Sequence, residues 1–199
     1  MYSKNSIISL TLGICLATTS LYASTQNSKW SYEEIKGPQY WGKLNKNYSM
    51  CEKGVNQSPI NITNTIDSKL VDIKFLGRST ANNIVNNGHT VQVNFPKGNN
   101  IILENNSYDL LQLHFHSPSE NKINGVSYPM EAHLVHSDKG GNLAVIAVMF
   151  KIANSNEDLK NLFRDIPLHK GDKVSFKNRI IKGYDLLPAN KEYYRFNGS

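Results

Sequence analysis

The sequence predicts a mainly β protein, organised on one large and mostly antiparallel sheet with small helices at its periphery. Strand-like segments follow one another at short intervals, asparagine and glycine cluster between them as turns, and only one short stretch carries a helical pattern. Alternating β-α units would need helical periodicity between successive strands, and the sequence has none. Phosphate-loop and dinucleotide glycine signatures, heptads and internal repeats are also missing from it.

Taken in order, residues 1–23 stand apart from the domain. Lys4 gives a basic start, 7–16 an apolar run and 18–23 a small-residue tail, the pattern of an export signal. The run is too short and interrupted to span a bilayer, so no stable membrane span is expected once it is removed. Cys15 raises a lipidated cysteine as the alternative, although Ile14 stands where a small residue is expected. Residues 24–199 are then one domain working in the periplasm or outside the cell. Its first part, 24–48, carries Trp30, Tyr32, Tyr40, Trp41 and Tyr48 among polar residues and reads as an arm whose rings cover the edge of a core. The loop 54–59 delivers the chain into a first strand at Ile60 and Ile62. Ser58 within it has no histidine or acid at a spacing that announces a nucleophile.

Strands are expected at 71–76, 83–86, 90–95, 100–104, 108–115, 130–137 and 142–151. The run NLAVIAVMF at 142–150 is almost unbroken apolar sequence and predicts a central strand covered on both faces. Residues 155–163, with Leu159 and Leu162 three apart, predict a short helix capped by Ser155 or Asn156.

A chain of 199 residues with 39% apolar content fits one domain, or at most two small ones. The formal charge of +6 is dispersed and forms no Arg/Lys stripe, so it reads as a solubility charge and not as a nucleic-acid footprint. Cys51 is the single cysteine outside the leader. In an exported protein it is buried, paired with another molecule, or lacking its partner.

The chemistry concentrates in QLHFHSPSENKINGVSYPMEAHLV, residues 112–135. Gln112, His114 and His116 leave one face of a strand while Leu113 and Phe115 leave the other. A second strand puts Glu131, His133 and Val135 on one face and Ala132, Leu134 and His136 on the opposite one. Three imidazoles from adjacent strands that converge in this way are the protein half of a catalytic zinc site; surface or satisfied polar histidines are the alternative. Gln112 and Glu131 are placed to accept hydrogen bonds from ligand imidazoles. Glu120 reads equally as a buried anchor for an oriented hydroxyl or as a loop salt bridge, and not as a ligand, because a three-histidine zinc keeps its fourth position open for water. His89 reads either as a proton carrier or as a solvent-exposed turn histidine. His136 and His169 read as structural or surface residues.

The ordered set NQSPINI (56–62), NNGHTVQVNF (86–95), QLHFHSPSEN (112–121), YPMEAHLVHSD (128–138), GNLAVIAVMF (141–150) and YYRFNGS (193–199) resembles the alpha-class carbonic anhydrases, in particular the exported bacterial type. The resemblance covers nearly all of 24–199. It implies a conical zinc-containing cleft, Zn2+ bound by His114, His116 and His133, ligands oriented by Gln112 and Glu131, and His89 as proton shuttle. It further implies Glu120 as the acid of a threonine–glutamate gate and an apolar carbon dioxide pocket at Val135 and Val145. The reaction implied is reversible hydration of carbon dioxide to bicarbonate and a proton by attack of zinc-bound hydroxide. Family members continue after the YYRFNGS-like strand into a Leu-Thr-Thr-Pro-Pro-Cys segment and further strands. The resemblance therefore implies a chain truncated at its C-terminus, without those strands, the threonine partner of Glu120 or the cysteine partner of Cys51. Two functions remain open on this basis: a carbonic anhydrase acting on carbon dioxide and bicarbonate, or a truncated zinc-binding remnant with little catalysis, acting through interactions.

Overall fold

Segments that alternate apolar and polar side chains can bury one face only if their backbone amides are paired with neighbouring segments. The computed structural model describes residues 30–198, so the leader expected at 1–23 lies outside the described residues. Eleven strands form among them: β1 (Asn61–Ile62), β2 (Lys74–Gly77), β3 (Asn83–Asn86), β4 (Val91–Asn94), β5 (Asn99–Leu103), β6 (Asn106–His116), β7 (Lys122–Ile123), β8 (Val126–Ser127), β9 (Met130–Ser137), β10 (Leu143–Phe150) and β11 (Lys173–Ser175). Helices α1 (Trp41–Leu44), α2 (Met50–Lys53) and α3 (Glu157–Phe163) are short, as are the 3-10 turns at Glu34–Lys36, Pro38–Tyr40 and Lys46–Tyr48.

Eight strands make one antiparallel sheet in which β10, β9, β6, β4, β3 and β11 are successive neighbours and β5 bridges β6 to β2. The spine is β6, eleven residues long. Its first half pairs with β5, its second half with β4, and its other edge with β9. A small second sheet joins β1, β7 and β8, with β1 and β7 parallel. The hairpin between β7 and β8 turns through Asn124 and Gly125, both at positive φ (50° and 80°). Glycine and asparagine tolerate that region best, and the resulting turn matches the twist of the strands.

One face of the large sheet carries the core. Ile84, Val93, Leu113, Ala132 and Leu134 pack there with Leu162 of α3 and with Phe176, Ile181 and Leu186. The Phe115 ring meets Phe163 edge-on at 4.8 Å. Leu110 and Leu113 are both buried although three residues apart. A register shift between Leu110 and Gln112 opposite β9 allows this: the extra residue, Leu111, is absorbed as a bulge and alternation restarts in the phase that leaves the histidines on the other face.

The strands expected at 83–86 and 130–137 coincide with β3 and β9, and the others differ at their ends. The strand expected from 71 begins only at Lys74, and the carbonyl of Val71 instead accepts from the Tyr193 hydroxyl at 2.5 Å. In α3 the Asn156 side chain caps the helix, accepting from the Leu159 amide at 3.0 Å.

The expectation for 142–150 is corrected. Among the described residues β10 pairs with β9 alone and lies at the edge of the sheet, with Leu143, Val145 and Ala147 exposed. An apolar run reads alike whether its strand is covered twice or once; the pairing partner decides. The arm also departs from expectation, for its Trp30–Tyr32–Trp41 cluster lies against His89 and His116, on the face away from the core. Cys51, in α2, is exposed and unpaired with any described cysteine.

Candidate metal centre

The antiparallel register of β6 and β9 sets His114 directly opposite His133 and His116 opposite Glu131. All three imidazoles therefore leave the face that the core does not use. Their ring centroids are 4.9 Å apart for His114–His116, 5.2 Å for His114–His133 and 4.8 Å for His116–His133. Each offers one nitrogen, and these atoms lie within 4.8 Å of one another.

Neighbouring groups select which nitrogens are free. Gln112 Oε1 lies 2.8 Å from His114 Nδ1; an amide oxygen only accepts, so Nδ1 carries the proton and Nε2 keeps its lone pair. Glu131 Oε1 lies 3.0 Å from His133 Nε2, which leaves His133 Nδ1 toward the cluster. That is hydrogen-bond distance, and a carboxylate, which only accepts, keeps the proton on Nε2. His116 Nε2 is buried and without a hydrogen-bond partner.

Glu131 is fully buried, and its carboxylate is fixed from three directions. Oε2 accepts from the amides of Glu120 at 2.8 Å and Asn121 at 2.9 Å, and Oε1 from Asn121 Nδ2 at 2.7 Å. Burial works against its charge, but the His133 ring and the Asn121 donors outweigh that and hold the carboxyl below its usual range. Asn121 Oδ1 in turn accepts from the Ile60 amide at 2.8 Å, tying the 56–62 segment to the loop after β6.

Burial pushes the His114 imidazole down to about 4, reinforced by the neighbouring histidines, and burial also lowers His116. Both rings are thus neutral at neutral pH, the form that binds metal. Three imidazoles with converging nitrogens, that of His116 without any other partner, fit a divalent cation and, as uncharged ligands, would leave its charge uncompensated.

Glu120 lies at the rim of this cluster. Its Oε2 is 3.2 Å from His116 Nε2 and 4.0 Å from His133 Nδ1, and its Oε1 accepts from the Tyr32 hydroxyl at 2.8 Å. Tyr32 belongs to the aromatic arm. Its ring centroid lies 5.7 Å from that of Trp30, which stacks on His89 at 3.9 Å and 17°. His89 itself is an exposed turn residue whose amide donates to Asn87 Oδ1 at 2.9 Å. An aromatic row therefore runs from His89 through Trp30 and Tyr32 to His116. Val135 and Val145 face each other across β9 and β10 on the histidine side, and Val145 is 50% exposed, so this apolar strip opens to solvent at the sheet edge. His169 is exposed, whereas His136 is fully buried beneath the opposite face.

Two participants escaped the sequence reading. Tyr32 reaches Glu120 across 88 residues, and Asn121, which holds Glu131 ten residues away, is itself tied to Ile60 across 61; neither periodicity nor motif spacing records such pairings. The arm's aromatic density was visible, but not its destination.

The family model described as eukaryotic-type carbonic anhydrase matches residues 36–199. The carbonic anhydrase of Pectobacterium atrosepticum is 39% identical over 192 residues, spanning 96% of this chain and 77% of that protein. The carbonic anhydrase of Neisseria gonorrhoeae is 40% identical over 193 residues, spanning 96% of this chain and 76% of that protein. The solved alpha-carbonic anhydrase of Thermovibrio ammonificans, in complex with the inhibitor sulfanilamide, superposes with a TM-score of 0.83 at 39% identity, covering 86% of this chain and 76% of that one.

Proposed function

This chain belongs to the eukaryotic-type carbonic anhydrase family, and from that premise we propose that it hydrates carbon dioxide reversibly to bicarbonate and a proton, with zinc as its metal. The observation that carries the reading is the convergence of His114, His116 and His133 with their free nitrogens directed to one point. When bound there, the cation supplies the Lewis acidity that makes water nucleophilic near neutral pH, the established chemistry of carbonic anhydrases as a class.

The chain's own residues do the rest. His114 Nε2, His116 Nε2 and His133 Nδ1 hold the cation, and Gln112 and Glu131 keep two of those rings in the correct tautomer and orientation. Val135 and Val145 offer an apolar strip to a substrate without net charge, while the charged product leaves more readily into water. Glu120, steered by Tyr32, controls the side of the cluster where water enters. His89, exposed at the end of the aromatic row, passes the released proton to solvent buffer. Residues 1–23 carry the chain out of the cytoplasm, supported by their basic start and apolar run.

Carbon dioxide hydration by the zinc-loaded chain, measured against an equal concentration of free zinc, tests the reaction. A rate well above free zinc is expected, and a rate no greater than that control rejects it in favour of a zinc-binding protein without catalysis. His89→Ala is expected to slow turnover at low buffer and to recover with added imidazole; no recovery removes the shuttle role. Cell fractionation and N-terminal sequencing of the processed protein test export.

A further inference from the structure

A cavity of about 260 Å3 opens outside the histidine cluster, at the end of the sheet where β2 pairs with β5. Phe75, Arg78, Asn99, Lys182, Tyr184 and Asp185 line it. Tyr184 packs against the core, and its hydroxyl lies 3.3 Å from His136 Nε2, so this wall stands on the side of the sheet away from the metal centre. We propose that the cavity binds a small organic monocarboxylate with a flat apolar body. The Asn99 amide, Arg78 and Lys182 take the carboxylate, and Phe75 and Tyr184 take the body.

The first support is an unpartnered donor. Asn99 is 1% exposed, and its Nδ2 is buried without a hydrogen-bond partner. Its Oδ1 faces the Ser79 amide at 3.4 Å; a backbone N–H only donates, so reversing the side chain would set two donors against each other. Gly77 and the Tyr184 ring close around the same group, for a β-carbon at Gly77 would stand 3.1 Å from Asn99 Oδ1 and 3.3 Å from Tyr184 Cδ2. The Asn99 donor is thus fixed and desolvated, a cost that an acceptor oxygen entering the cavity relieves.

The second support is charge. Arg78 and Lys182 are exposed at the rim, and neither makes a salt bridge among the described residues. Lys182 attracts Asp185 without reaching salt-bridge distance. The nearby Lys191 is engaged over the Phe75 ring and on the Pro188 carbonyl. Two lining cations therefore stand against one lining carboxylate, and a monoanion balances the excess, whereas a neutral ligand leaves it unanswered. A carboxylate suits these donors because one oxygen accepts from the Asn99 amide while the other meets the cations.

The third support is size and lining. At about 30 Å3 per water the cavity has room for roughly eight or nine waters, far more than a bare carboxylate displaces. Its apolar side is formed by Phe75 and Tyr184, whose ring centroids lie 5.1 Å apart with their planes at 67°. A flat apolar body set against these rings removes surface from water on both partners. Donor, charge and rings thus select an organic anion, and the volume keeps it small.

Titration of the zinc-loaded full chain with benzoate, followed by nitrogen–proton NMR, measures the binding and locates it. The Asn99 side-chain amide and the backbone amides of Gly77 and Gly183 are expected to shift together, with a dissociation constant below about 1 mM. Benzamide, which lacks the charge, and acetate, which lacks the body, are each expected to bind at least about 10-fold more weakly. Asn99→Leu is expected to weaken benzoate about 10-fold, and Lys182→Ala, at an exposed position where folding is not at stake, about 3-fold or more. Shifts confined to the His114, His116 and His133 region mean that benzoate reaches the metal alone, and they overturn the proposal. Equal affinity for acetate and benzoate overturns it too, as does unchanged affinity in both variants.

Discussion

The two faces of the β6–β9 ladder are one residue out of phase and do opposite work. Leu113, Phe115, Ala132, Leu134 and His136 point to the core, and Gln112, His114, His116, Glu131 and His133 point away from it. Both faces are shielded from water, so burial alone does not separate structure from chemistry. The difference lies in what burial meets. On the core face apolar surface meets apolar surface and each contact stabilises the fold. On the other face the His116 Nε2 lone pair is buried without a hydrogen-bond partner, a cost that a bound cation relieves.

His133 and His136, three residues apart on β9, show the contrast within one residue type. The Ala144 carbonyl lies 3.3 Å from His136 Nδ1 and the Tyr184 hydroxyl 3.3 Å from Nε2. A carbonyl only accepts, so Nδ1 holds the proton and Nε2 accepts from Tyr184. That imidazole is satisfied at both nitrogens within the protein. His133 is held at Nε2 by Glu131 and turns Nδ1 to the cluster.

The sharpest way to break this division is Leu134→Ala. Leu134 is fully buried on the core face, and its truncation is expected to cost about 2–5 kcal/mol in denaturant unfolding of the metal-free chain, while the folded fraction keeps its metal stoichiometry. Loss of metal binding with unchanged stability would reverse the assignment of faces. His133→Ala is expected to do the converse: metal affinity falls at least about 100-fold by chelator competition, with a smaller loss of stability than Leu134→Ala.

Acid separates the faces in a third way. Burial pushes His136 down from 6.5 to about 4, so the folded state stays neutral where the unfolded chain takes up a proton. Stability is then complete above about pH 6.5 and declines as pH falls toward about 4, by on the order of 2–3 kcal/mol for this group. With metal bound, acid unfolding in that window is expected to be shallower in His136→Phe than in the parent, and equal slopes would remove His136 as its source. The smallest expected effect is that of Gln112→Ala. It takes away one hydrogen bond to His114 and lowers metal affinity about 10-fold without a detectable change in unfolding midpoint.

Much of this division was legible in the sequence because strand alternation is a local property. The spacing of His114 and His116, and the phase of Glu131 and His133, follow from a period of two and need no tertiary information. Family motifs then attached chemistry to that pattern. The Leu110-Leu111 doublet marks where alternation breaks, but a bulge cannot be located without knowing which neighbour absorbs the extra residue. The same limit explains β10. Its composition is that of a covered strand, and its position at the edge among the described residues depends on pairing, which composition does not encode.

What the sequence determined by itself was therefore the set of side chains that share a face: the ligand histidines, the residues behind them and the core on the reverse side. Tertiary structure decided what those faces meet. It brought Tyr32 across 88 residues onto Glu120, set the Glu120 carboxylate against the free nitrogens of His116 and His133, and used Asn121 to clamp Glu131 to the segment entering β1. The physical reason is one of range. Side-chain direction along a strand is set by backbone geometry within a few bonds, whereas the partner of a buried polar atom is chosen by the packing of segments distant in sequence, where hydrogen bonding and burial are satisfied together.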